Sequence, residues 1–273
     1  PQDFLWAFLR GTGLLSLIVV LARLFQWEWY MGDFPVLAHF IGGRARGQVL
    51  GVYSNGLAMV VEAGVVGGLA MAVAARNRLR KLEAGVITAI CLAAVLITLS
   101  RGALLGIAVG VAVTGLLFTP RVVPAFGLAL AIPLLSWPML RHRASSILDI
   151  SESGPNAQRL DIWQGTLDLI RDHLWFGVGP GNFGHVYPSY SLTEDLARFM
   201  TPHSTYLYLI SGWGLVGGAI MFGWIAWVML RTLMRKPGSH QRIIWVILVT
   251  FGVHILFDDL ISPHIPLLLG CLE

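Results

Sequence analysis

Charge is scarce in this chain: only 12% of its 273 residues are Asp, Glu, Lys or Arg, against about a quarter in soluble globular proteins. That shortage excludes an ordinary water-facing surface. Cysteine is nearly missing as well. Cys91 and Cys271 both lie in apolar surroundings, which excludes a disulfide framework or a metal knuckle and leaves two packing residues. The eight histidines show no ligand spacing such as H-E-x-x-H, so no zinc site is expected. His39, His142, His173 and His240 read as solvated. The net charge of +4 does not point to nucleic acid, because the cations sit in short connections and form no stripe. Gly177 to Gly181 has no strand before it and no long helix after it, so the dinucleotide fingerprint fails and a turn is expected. No internal repeat, low-complexity tract or signal peptide is visible in this sequence. The sequence starts at Pro1 rather than methionine, almost inside an apolar run, which leads us to expect a piece of a longer protein.

What is abundant is apolar length. Hydrophobic residues make up 56% of the chain, and a membrane-spanning helix needs about 20 of them in succession. Such runs predict helices near Leu5 to Leu24, Val49 to Ala75, Ala84 to Leu99, Ala103 to Phe118, Val122 to Leu140, Thr205 to Leu230 and Ile243 to Phe257. An eighth begins around Ile261. The expected fold is all-α: a polytopic transmembrane helical bundle of about 7–8 spans, with helices over fifteen residues dominating and no sheet. Three regions follow: membrane helices with short loops over 1–140, one large extracytoplasmic loop over 141–203, and C-terminal membrane helices over 204–273.

Orientation comes from loop charge, since short cytoplasmic loops are enriched in Lys and Arg. Arg76, Arg78, Arg80 and Lys81 crowd one connection, and Arg231, Arg235, Lys236 and Arg242 another. Both are assigned to the cytoplasm. Counting spans then puts Phe25 to Gln48, the Ser100-Arg101-Gly102 turn and the long 141–203 loop on the opposite side. In that loop Leu160, Trp163, Leu167 and Ile170 recur at helical spacing opposite Asp161, Gln164, Asp168 and Asp172, predicting a short amphipathic helix against the membrane domain. Arg159 falls at the edge of its apolar stripe, so its guanidinium can reach over that face. The ten tryptophans, Trp27, Trp29 and Trp137 among them, suit an interfacial aromatic belt. Glu62 lies mid-span, where an unpaired carboxylate is costly, and should face the interior, protonated or paired. Asp258, Asp259 and His264 should emerge on the extracytoplasmic side, either lining a site or ending a span.

With that topology, Arg44, Arg46, Arg101, Arg159 and His203 fall in one interfacial layer. Arginines suit a diphosphate, because a planar, permanently charged guanidinium pairs with phosphate oxygens in bidentate fashion. A histidine adds a group able to exchange protons. Taken singly, the same arginines suit anchoring among lipid head groups equally well.

The motifs around these residues add to the case. Gly43-Arg44-Ala45-Arg46-Gly47 with Ser54-Asn55-Gly56 resembles the Arg-x-x-Gly and Asn element of the O-antigen ligase and polymerase superfamily of bacterial membrane proteins. Thr98-Leu99-Ser100-Arg101-Gly102-Ala103 is similar to its Ser-Arg-Gly turn. Arg159-Leu160-Asp161-Ile162-Trp163, followed by Phe176 through Phe183, is similar to its loop signature, and His203-Ser204-Thr205-Tyr206-Leu207 to its His motif. The resemblance runs in family order from about Arg44 to Met229. It implies a metal-independent type C glycosyltransferase with no cofactor, multi-pass in the bacterial inner membrane, its site facing the periplasm. The implied partners are an undecaprenyl-diphosphate-linked glycan donor, a lipid A core or other glycan acceptor, and membrane lipids. By motif, Arg101, Arg159 and His203 take catalytic roles, while Arg44, Arg46, Arg101, Arg159 and Asn55 bind substrate. Arg46 departs from the plainest pattern and shares or replaces the role of Arg44. Ser204 stands where many relatives have Asn, so ligase, polymerase and protein oligosaccharyltransferase remain alternatives. A lipid-linked glycan transporter is the alternative of another class, favoured only by Glu62.

Overall fold

The computed structural model describes residues 2–27, 29–31, 34–37, 40–41, 44–45, 54–145, 155–235 and 237–258. Its helices are α1 Gln2–Phe25, α2 Ser54–Ala74, α3 Arg78–Thr98, α4 Arg101–Leu117, α5 Val122–Ser136, α6 Pro138–Ser145, α7 Pro155–Asp172, α8 Phe183–Val186, α9 Thr205–Met234 and α10 Ser239–His254. The apolar runs therefore mark real helices, and the architecture is all-helical. Among the described residues, the expected absence of sheet is relieved only by two small antiparallel pairs, Trp29–Met31 with Phe34–Leu37 and Phe40–Ile41 with Arg44–Ala45, which form no layer. Among the described residues, four helices, α1, α2, α3 and α9, are long and apolar enough to cross a membrane, and α4 and α5 are shorter apolar helices.

The helix α3 begins well before the expected Ala84, inside the basic connection. Asn77 caps it by accepting from the Leu79 amide at 2.8 Å, so a run read as loop from its charge becomes the first helical turn. The turn into α4 is tighter. Leu99 adopts a left-handed conformation, and Ser100 caps α4 by accepting from the Ala103 amide at 3.4 Å.

Among the described residues, α1, α2, α3, α4, α5, α9 and α10 alternate in direction. The starts of α1 and α10 and the α2–α3 connection share one end, where Gln2, Trp6, Arg76, Arg80, Ser239 and Ile243 surround a cavity of about 580 Å³. At that end Arg242, in α10, donates to the carbonyl of Leu117, the last residue of α4. The opposite end gathers Asn55, Ser100, Thr205 and Asp258. The helices approach closely there and below. A Cβ at Gly106 of α4 would lie 2.9 Å from the Thr250 carbonyl of α10, the small-residue packing that lets membrane helices touch by their backbones.

Helix α7 caps that end over a core of its own, in which Ile162, Leu169, Phe183, Tyr187 and Leu196 are buried. The buried face of α7 is Ile162, Gly165, Thr166, Leu169 and Ile170, which corrects the face read from the sequence. Leu160 and Leu167 are 51% and 44% exposed. The sequence pattern favoured them because the small Gly165 and the polar Thr166 hide the true contact stripe. Thr166 is accommodated by donating to the Ile162 carbonyl.

The cap is tied to α9 by backbone. The amides of Val178 and Gly179 donate to the carbonyls of Ser211 and Gly212, and those of Leu215 and Val216 donate to the carbonyls of Leu174 and Trp175. This exchange is possible because α9 breaks at Gly214, with φ 67°. The turn expected at Gly177 to Gly181 is present, with positive φ at Gly177, Gly179 and Gly181.

Candidate functional site

Arg101 and Arg159 come together. Both line a cavity of about 200 Å³ at the capped end, with Gly102, Leu105, Asn156, Leu160, Trp163 and Phe257. Arg101 opens α4 behind the Ser100 cap, and Arg159 sits in the first turns of α7. The Arg159 side chain is 23% exposed and reaches inward, Nη2 lying 3.9 Å from Oδ1 of Asp258. It follows the expected course over the apolar face instead of pointing to bulk water. Trp163 closes one side, its ring 6.3 Å from that of Phe257.

His203 reaches this cavity indirectly. It is not among the lining residues, but Trp163 donates from Nε1 to the carbonyl of Pro202, its neighbour, at 2.9 Å. His203 itself has φ 52° just ahead of α9, and its ring meets that of Phe199 edge-on at 5.3 Å. Of the other candidates, Arg44 lies in a short strand, while Arg46, Asp259 and His264 lie outside the described residues.

Asn55, in the first turn of α2, donates from Nδ2 to Oδ1 of Asp258 at 2.7 Å. Asp258, left open between lining a site and ending a span, is a hub. Its carboxylate faces Asn55 and Arg159, and its backbone carbonyl accepts from the amide and hydroxyl of Thr205 at 3.1 and 2.9 Å. A single residue thus joins α2, α7 and the start of α9.

Glu62 is fully buried and paired, one of the two states expected of a mid-span carboxylate. Its Oε2 lies 3.0 Å from Nδ1 of His254, also fully buried. Neither atom meets hydrogen-bond geometry at that separation, so we read the contact as electrostatic pairing. His254 is a residue the sequence reading did not single out. Its Nε2 lies 3.4 Å from Oγ of Ser100 and 3.5 Å from Oδ2 of Asp258. The signal for it was slight: a histidine in an apolar run, four residues before an aspartate, on a helix with no other reason for a titratable group. The ring also explains the glycine of the Ser-Arg-Gly turn, since a Cβ at Gly102 would lie 2.5 Å from the ring's Cδ2.

A protein-family model described as O-antigen ligase matches residues 86–222. The matched span holds Arg101, Arg159 and His203, together with α4, the cap and the break in α9. No curated protein matches the chain.

Proposed function

Because the chain belongs to the O-antigen ligase family, a family of membrane glycosyltransferases acting on lipid-linked glycans, we propose that it transfers a glycan from an undecaprenyl-diphosphate carrier to an acceptor hydroxyl, with lipid A core as the acceptor. The observation that carries this reading is the pairing of Arg101 and Arg159 on one cavity. Two guanidiniums on a partly apolar cavity, at one end of an apolar helical bundle, suit a diphosphate whose lipid remains in the bilayer.

In the proposed reaction the acceptor oxygen attacks the anomeric carbon of the donor sugar. The bond from that carbon to the diphosphate oxygen breaks, and the lipid diphosphate leaves with the electron pair. Arg101 and Arg159 stabilise the charge developing on it, Arg44 or Arg46 adds to their grip, and His203 orients the acceptor hydroxyl or takes its proton. Asn55 acts through Asp258. No nucleotide is needed, because the diphosphate is already a good leaving group, and no metal-dependent step is invoked.

The proposed topology has 7–8 spans, with 1–140 and 204–273 in the inner membrane and 141–203 forming the periplasmic cap. The Arg76 to Lys81 end faces the cytoplasm by the distribution of positive charge. Incubation of the purified full-length protein with a defined lipid-linked donor and, separately, lipid A core, a second lipid-linked glycan or an acceptor protein tests the assignment. Transfer to lipid A core alone supports the ligase. Transfer to a second lipid-linked glycan would make the protein a polymerase, and transfer to protein an oligosaccharyltransferase. Donor movement across the bilayer without transfer would make it a transporter.

A further inference from the structure

We infer that His254 is a positioning residue whose imidazole sets the spacing of Arg101 and Arg159, by bracing Ser100 next to the first and Asp258 beside the second while Glu62 holds the ring from behind. The inference rests on the proposed grip of these two arginines on a diphosphate. One nitrogen faces both supports: Nε2 is 3.4 Å from Ser100 Oγ and 3.5 Å from Asp258 Oδ2. Ser100 caps the helix that begins with Arg101, and Asp258 stands 3.9 Å from the Arg159 guanidinium. The other nitrogen is 3.0 Å from Glu62, so rotating the ring to serve one arginine alone would abandon the carboxylate behind it.

Packing alone does not explain the pair. The rest of the buried face of α10 is built from Ile243, Ile244, Val246, Ile247, Leu248, Thr250 and Phe251, and placing two ionisable groups in such a core carries a large desolvation cost before pairing offsets it. Nor does His254 touch substrate, for it is fully buried and absent from the cavity wall. What the ring does reach are the two groups that fix where the arginines stand. A guanidinium pair must be set to well under an ångström to meet one diphosphate, and a rigid ring wedged between α2, α4 and α10 supplies that rigidity.

The test is titration of inorganic diphosphate into the purified full-length protein in detergent micelles, followed by calorimetry, with thermal unfolding of each variant recorded alongside. Removing His254 alone strands Glu62, so the folded comparison is the double variant E62L/H254L. It should bind diphosphate roughly tenfold more weakly than wild type, the loss expected for one positioning hydrogen-bonded contact. With Glu62 also replaced by Leu, H254Q places its amide nitrogen near the Nε2 position and should recover most of the affinity. H254N places it near Nδ1 and should not. In turnover with a lipid-linked donor the same factor should appear in KM, with kcat at saturation changed less. Wild-type affinity in a folded E62L/H254L, equal affinities in H254Q and H254N, or failure of all three variants to fold would each overturn the inference. A wild-type protein that neither binds diphosphate nor transfers glycan would sink the functional reading and this inference with it. One that does both while the variants match it sinks only the inference.

Discussion

Trp163 and Pro202 are joined by a 2.9 Å hydrogen bond from the indole Nε1 to the backbone carbonyl, so the helix that carries Arg159 is fastened to the residue before His203. The donor side and the acceptor side of the proposed reaction share one link. Trp163→Phe keeps the ring that packs near Phe257 but removes the donor. It should cost about 1 kcal/mol of stability, the net worth of an ordinary buried hydrogen bond, while lowering transfer by a larger factor than that stability loss implies. Thermal unfolding and single-turnover transfer on the same preparation check this.

Arg101→Ala or Arg159→Ala should weaken donor binding and transfer together. Arg→Lys should rescue either only in part, because an ammonium keeps the charge but loses the bidentate fork. Donor binding and turnover measured in parallel check it, and full transfer without either arginine would end the diphosphate-grip reading.

His203→Ala should leave donor binding intact and lose transfer by about 10²- to 10⁴-fold once donor saturates, the usual range for a general base. An orienting histidine costs as much through misplacement, so the decisive quantity is the separation of binding from transfer. Wild-type turnover in this variant would remove His203 from the mechanism.

Glu62 and His254 should be coupled in stability. Replacing His254 by Leu leaves Glu62 buried and unpaired, at about 3–5 kcal/mol, whereas Glu62→Leu leaves His254 its contacts with Ser100 and Asp258 and should cost less, and replacing both should recover most of the loss seen in His254→Leu. Thermal unfolding of the two single variants and the double variant measures the coupling, and additive losses would contradict it.

Gly214→Ala should disrupt the seam between the cap and α9. A Cβ there would collide with the Trp175 carbonyl group, and the position has φ 67°. A loss of about 1–3 kcal/mol is expected from the clash alone. Protease sensitivity of the 174–203 segment reports it, and an unchanged cleavage pattern would mean that the seam is not held there.

Topology is open to direct labelling. A cysteine at exposed Glu194 should react with a membrane-impermeant maleimide in cells whose outer membrane has been permeabilised, and one at exposed Lys81 should not. Native Cys91 is buried and supplies little background. The reverse pattern would invert the orientation.

The sequence by itself determined the helical architecture, because long apolar runs have one solution in a bilayer and the hydrogen-bonding needs of the backbone dictate it. It also indicated that Glu62 would face the interior, protonated or paired, since an unpaired mid-span carboxylate is costly. It marked Arg101 and Arg159 through their motifs. The tertiary structure alone decided which face of α7 is buried, because a glycine and a threonine make the contact stripe that hydrophobic spacing cannot recognise. It alone identified the partner of Glu62 as His254, 192 residues away in sequence, and it made Asp258, open in the sequence between lining a site and ending a span, the residue joining Asn55, Arg159 and Thr205. The division has a physical reason. Periodicity and composition report each segment's exchange with its solvent, which is local, whereas pairing of buried polar groups depends on which helices cross, and that is settled only when the bundle closes.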